Sequence, residues 1–333
     1  MELRLSLEGA APPAFLRDLA ARRRADGAAI FDKTGHYRRP GAGGLPALHD
    51  AVAAIMGGPE DHARLLRIVL ETCAEQGVLY AELSVSPELC GAGDLAAWRE
   101  HVAAWTETAA AMRAQGIDSR GIVTALAHHG QARARAAARC AAETAGAGGA
   151  GWIAGFGLAG VGGGAGRGIT SGARDFAWAF DCACEAGLGL TCRAAEESGA
   201  QAVRDALALG IRRIGPGLRA TEDGALVRAL AEAGVTLELC PGADIAQGLC
   251  PGWAAHPIAR LADGGCRVTV SAEAPAFLGT APDGEYDRLA DAFGWGEAEF
   301  ARMSHWALDG AFCDRASAAR LRAGLPPLSG RAD

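Results

Sequence analysis

Eight short apolar runs, each followed by a stretch of helical pattern, constrain this chain more than any other feature. The runs fall at 2–7, 79–85, 121–126, 152–158, 189–193, 212–214, 236–239 and 267–271. Helical patterns lie between them at 61–75, 95–114, 131–145, 174–186, 200–209, 223–233 and 258–263. Strand–helix alternation points to a parallel sheet, and eight repeats point to an α/β fold closed as a (β/α)8 TIM barrel rather than an open sheet. We read residues 1–333 as a single barrel domain.

Two regions interrupt the alternation. The insertion after the first strand, 30–61, carries the loop Arg38-Arg39-Pro40-Gly41-Ala42-Gly43-Gly44 and reads as a helical lid over the strand ends. Additional C-terminal helices are expected over 283–325. The glycine-rich stretch 161–168 follows the fourth strand and reads as a βα loop. It lacks the Gly-Lys-Ser/Thr ending of a phosphate-binding loop.

Half of the chain is apolar, enough for a sizeable core. The net charge of −7 argues against a nucleic-acid partner held by phosphate neutralisation. No run of 18 apolar residues occurs, so neither a membrane span nor a secretory leader is expected. The ten cysteines form no Cys-x-x-Cys pair and read as small buried hydrophobes of a reducing cytoplasm. Cys192 should point away from the barrel axis by strand alternation.

Four stretches carry a resemblance. Tyr80-Ala81-Glu82-Leu83 with Ser86-Pro87 matches a second strand, and Gly155-Phe156-Gly157-Leu158-Ala159-Gly160 a fourth. Leu237-Glu238-Leu239-Cys240-Pro241-Gly242 matches a seventh, and His256-Pro257 follows it. Together they resemble the adenosine deaminase family of the metal-dependent amidohydrolases, over residues 2–325. The resemblance implies hydrolytic removal of an amino group from an aminopurine. It also implies zinc held by two histidines of strand one, a histidine ending strand five and an aspartate ending strand eight.

At those positions stand Arg4 and Ser6, Arg193, and Glu273. Pro216 stands at the histidine after strand six, and Ala274 beside the metal-binding position. Glu196 keeps the family's proton-handling glutamate, and Gly160 matches the glycine near the substrate base. Arginine has no lone pair to offer a metal. The expectation is therefore a degenerate metal site without a bound metal or other cofactor, in a ligand pocket formed by Arg4, Ser6, Gly160, Arg193, Glu196, Pro216, Glu273 and Ala274. His128 and His129, ending strand three, are the histidines nearest to an alternative site.

Three readings follow. The leading one is a pseudoenzyme that binds a small ligand, anionic or nucleoside-like, or acts as a homo-oligomer or by pairing with an active paralogue. A second is a metal-independent enzyme using Glu196 and Glu273 with Arg4 and Arg193. A third is retained adenosine or aminopurine deamination. In every reading Glu8-Gly9 only shapes the first turn.

Overall fold

The structure, a computed structural model, describes residues 1–39, 44–146, 151–161, 172–194 and 199–328. Eight parallel strands follow one another in chain order around a (β/α)8 barrel: β1 (Glu2–Ser6), β2 (Tyr80–Val85), β3 (Asp118–Leu126), β4 (Ile153–Val161), β5 (Gly189–Ala194), β6 (Arg213–Pro216), β7 (Thr236–Leu239) and β8 (Arg267–Val270). The connecting helices include α1 (Pro13–Arg23), α2 (Leu45–Ile55), α3 (Pro59–Glu75), α4 (Leu95–Arg113), α5 (Gln131–Thr144), α6 (Ala177–Glu185), α7 (Gly199–Ala208) and α8 (Gly224–Glu232). They continue with α9 (Pro241–Ala246), α10 (Ile258–Asp263) and α11 (Pro275–Leu278). Then come the additional C-terminal helices α12 (Pro282–Phe293), α13 (Glu297–Gly310) and α14 (Arg315–Gly324). The glycine-rich stretch 161–168 lies outside the described residues except at Val161. No described helix is long and apolar enough to cross a membrane.

Pairing is tightest between β2 and β3, in unbroken register from Tyr80–Asp118 to Val85–Val123. Between β6 and β7 it thins to two pairs, Arg213–Thr236 and Ile214–Leu237. The barrel closes between β8 and β1 through one bridge, Leu5–Glu273. There Ser6 N donates to Glu273 O at 2.7 Å and Glu273 N to Arg4 O at 3.1 Å.

Strand alternation decides what reaches the interior. On β1 and just after it, Leu5 and Leu7 are buried in the layer beneath the helices, whereas Arg4 and Ser6 face the barrel mouth. On β5, Thr191 and Arg193 face inward, and Cys192 is buried in the surrounding core. All ten cysteines are free thiols. At the other end α13 and α14 cover the floor, with Leu3 and Tyr80 packed against Ala307, Leu308 and Leu321. Phe312 inserts where Gly155 and Gly189 leave no side chain in its way.

Candidate active site at the barrel mouth

A cavity of about 330 Å3 opens at the strand ends. Arg4, Ser6, Gly160, Arg193 and Glu273 all line it, joined by Glu8, His49, Ser86, Thr191 and Glu238. Leu45 and Pro46 of α2 also reach its wall. Pro216 and Ala274 are buried but lie off that wall. Pro216 ends β6 beside Ala194, and Ala274 packs against Gly9. Both positions belong to the frame of the pocket rather than to its lining. Glu196 lies outside the described residues.

From the cavity wall inward, acidic and basic side chains alternate along the barrel interior. Arg213 donates from Nε to Glu238 Oε1 at 2.5 Å and from Nη1 to Glu82 Oε2. Arg4 Nη1 donates to the other Glu238 oxygen at 3.1 Å, while its Nη2 is 3.9 Å from Glu273 Oε1. Arg193 Nη1 donates to Glu273 Oε1, and Gln247 Nε2 to Glu273 Oε2 at 3.0 Å. Glu82, Arg213, Glu238, Arg4, Glu273 and Arg193 thus form a ladder of three negative and three positive groups. Burial opposes the charge on Glu273, but Arg193 and Arg4 together hold its carboxyl below the usual range. It is ionised at neutral pH.

The ladder explains why an arginine sits on β1. Its guanidinium crosses the barrel to β6, where Gly215 has no side chain; an added Cβ there would overlap Arg4 Nη1. Arg4, Arg193 and Glu273 alone would carry one surplus positive charge. Glu238 removes that surplus, and Arg213 balances Glu82, so the ladder as a whole is neutral.

Among the described residues that line the cavity, Glu8 and Ser86 each have a buried polar atom without a partner, Oε1 and Oγ. Burial pushes the Glu8 carboxyl up to about 7, against a hydrogen bond with Ser6. His49 lies 3.5 Å from Ser6 Oγ through Nδ1, and burial lowers it to about 4, keeping the ring neutral. Glu273 is held at φ 59, in the left-handed region that costs a non-glycine residue about 1–3 kcal/mol. Such strain persists where the surroundings over-determine it, here through the closing bridge and the Arg193 contact.

Sequence reading missed Glu8, taken only as a turn residue, and Glu238 and Arg213. Their signal was present. Each is a charged residue next to or within a short apolar run, at a position whose alternation faces the axis.

The strand-end positions do not fit a zinc ion. Arg193 and Gln247 engage both Glu273 oxygens, and the guanidiniums of Arg4 and Arg193 stand beside it. Elsewhere, two groups of three donor residues converge among the described residues: His62, Cys90 and His101, and Asp50, His128 and His129. In each, the donor atoms lie within 4.8 Å of one another. The expectation of a chain without a metal or other cofactor is therefore corrected. His128 and His129 were the histidines that the sequence offered for an alternative site, and they converge with Asp50; His62, Cys90 and His101, 28 and 11 residues apart in sequence, were overlooked.

The family model described as adenosine deaminase matches residues 1–326. A protein of Agrobacterium fabrum named adenine deaminase is 39% identical over 325 residues, 97% of this chain and 97% of its own length. The solved structure of an adenine deaminase from Arthrobacter aurescens has a TM-score of 0.81 at 23% identity, covering 96% of this chain and 95% of that one. An amidohydrolase of Burkholderia ambifaria, with bound zinc, has a TM-score of 0.82 at 21% identity, covering 97% and 88%. At these lower identities the likeness shows the fold. The 39% match over nearly the full length overturns the expectation of a pseudoenzyme whose zinc site is simply lost. That expectation equated four substituted positions with loss of activity, although an active site is defined by all the groups its pocket assembles. The chain belongs to the adenosine deaminase family.

Proposed function

We propose that this chain is a hydrolase that removes the amino group of a free aminopurine base resembling adenine. The observation that carries the reading is its near-full-length similarity to a protein named adenine deaminase. The pocket supports it in two ways. A cavity of about 330 Å3 sits at the small end of ligand sites, which run from about 300 to 1,000 Å3. Its neutral ladder suits an uncharged base better than a phosphorylated ligand. The small-molecule partner is thus nucleobase-like, and the chain acts in the cytoplasm.

In the net reaction, water's oxygen becomes the ring carbonyl and the amino nitrogen leaves as ammonia. A group that can both hold and release a proton near neutral pH is required. Glu8 meets that need, with its carboxyl near 7, a place among the cavity-lining residues and a buried Oε1 without a partner. Glu196, which the resemblance places in proton handling, is the second candidate. Glu273 and Arg193 fix the opposite wall, Ser86 Oγ offers a hydrogen bond to the ring, and Gly160 leaves space at its edge. Zinc in an amidohydrolase supplies a Lewis acid that activates water. The described donors that best fit such an ion are His62, Cys90 and His101, which lie off the cavity wall, so every proton step here is assigned to the chain's own residues.

The test is ammonia release from adenine, adenosine and 2-aminopurine by purified protein, with and without added zinc. Turnover of adenine is expected, with kcat/KM changing around pH 7. Glu8→Gln should lower kcat by about 10²- to 10⁴-fold and flatten that pH dependence. No ammonia from any of the three substrates, with or without zinc, would overturn the proposal.

A further inference from the structure

We propose that His62, Cys90 and His101 form a structural binding site, apart from the cavity, for a thiophilic d10 cation, Zn2+ or Cu+, in the helical layer behind the cavity wall. His62 belongs to α3, His101 to α4, and Cys90 to the connection leading from β2 to α4. All three are buried, at 0%, 3% and 1% exposure. None lines the cavity.

The ring orientations carry the inference. His62 Nδ1 donates to Gly58 O at 3.2 Å, and His101 Nδ1 donates to Ala97 O at 2.8 Å. Each bond fixes the tautomer and leaves the Nε2 lone pair facing away from the backbone, in His62 toward the Cys90 thiol, which donates to it; this is how metal-binding histidines are held. His101 Nε2 is buried and has no partner. His62 Nε2 lies 3.5 Å from Cys90 Sγ. A tetrahedral cation with bonds of about 2.3 Å to sulfur and about 2.0 Å to nitrogen separates those two ligands by about 3.5 Å. The observed spacing is therefore already one edge of such a site. The third donor lies within 4.8 Å, so a small inward turn of the His101 ring completes the set. A thiolate with two imidazoles selects a soft or borderline ion over Mg2+ or Ca2+.

The position gives such an ion a task. Ser86 and Leu89, in the same connection as Cys90, are on the cavity wall. A cation held by Cys90 between α3 and α4 would pin this connection to both helices. It would thereby brace one side of the pocket without touching substrate.

The test uses the full-length protein, stripped with a chelator and titrated with Co2+ as a spectroscopic stand-in for Zn2+. The expected result is one equivalent bound, with a near-ultraviolet thiolate-to-cobalt charge-transfer band. Cys90→Ser and His101→Asn should each abolish the band, while circular dichroism shows that both variants remain folded. Ions bound at Asp50, His128 and His129 give no thiolate band, so that group cannot mimic the result. Displacement of cobalt by Zn2+ or by Cu+ under reducing conditions then identifies the preferred ion. A wild-type protein without the band, or a band that survives in Cys90→Ser, would overturn the proposal. The optical readout is independent of ammonia release, so this site and the deaminase reading stand or fall separately.

Discussion

Glu238→Gln is the most direct test of the charge ladder. The change is nearly isosteric, so it removes a charge while leaving the packing in place. Glu238 is 1% exposed and accepts from Arg213 Nε, Arg4 Nη1 and Thr191 Oγ1. Neutralising it leaves one positive charge in surplus among Arg4 and Arg213. Removing one member of a buried ion pair costs about 3–5 kcal/mol. Unfolding entropy of about 2.1 cal/mol/K per residue amounts to about 0.7 kcal/mol/K for this chain. The expected fall in Tm is therefore about 4–7 °C, read by differential scanning calorimetry. The freed charge should also make chloride and sulfate competitive inhibitors of the variant and not of the wild type. In the double variant with Arg4→Met, the surplus charge is gone and part of the loss should return. A variant melting within about 1 °C of wild type, with no anion sensitivity, would show that the ladder is not electrostatically coupled.

Gly215→Ala should drive the Arg4 guanidinium out of its notch and cost about 1–3 kcal/mol as an overpacking substitution, measured by urea unfolding. Combining it with Arg4→Met should be distinctly less damaging than the sum of the two. Glu285 is buried, and burial raises its carboxyl to about 8 against the Gly242 N–H that it accepts. A folded-state pKa above the unfolded value means the native state holds the extra proton. Its stabilising contribution is thus complete below about pH 4.5 and is lost as pH rises through about 8, at about 1.4 kcal/mol per unit. Glu285→Gln should therefore gain stability relative to wild type at pH 8.5 and little at pH 4.5, by chemical denaturation at both values.

Most of the barrel was legible because its strands are fully buried, and such strands announce themselves as short apolar runs. β7 and the helix α10 fall where the pattern places them, at Thr236–Leu239 and Ile258–Asp263. Helix α1 was not singled out. Arg17, Asp18, Arg22 and Arg23 interrupt its apolar residues, and only the buried stripe of Phe15, Leu16, Leu19 and Ala20 betrays it. At the site, Arg4, Arg193 and Glu273 were found because the family resemblance marks those strand-end positions. Glu238 was overlooked because it lies within strand β7 rather than at a strand end, and a carboxylate there acquires meaning only with Arg213 and Arg4 around it. His62, Cys90 and His101 follow no motif spacing; three separate chain segments bring them together, and only packing reveals that.

The closing bridge between Leu5 and Glu273 has a mechanical consequence. The residue that zips β8 to β1 through its main chain is the same one whose carboxylate is gripped by Arg193 and Gln247. Whatever pulls on that side chain also loads the narrowest seam of the cylinder. A molecule wedged in the mouth would act as a rivet, and slower amide exchange at Ser6 and Glu273 would register its arrival.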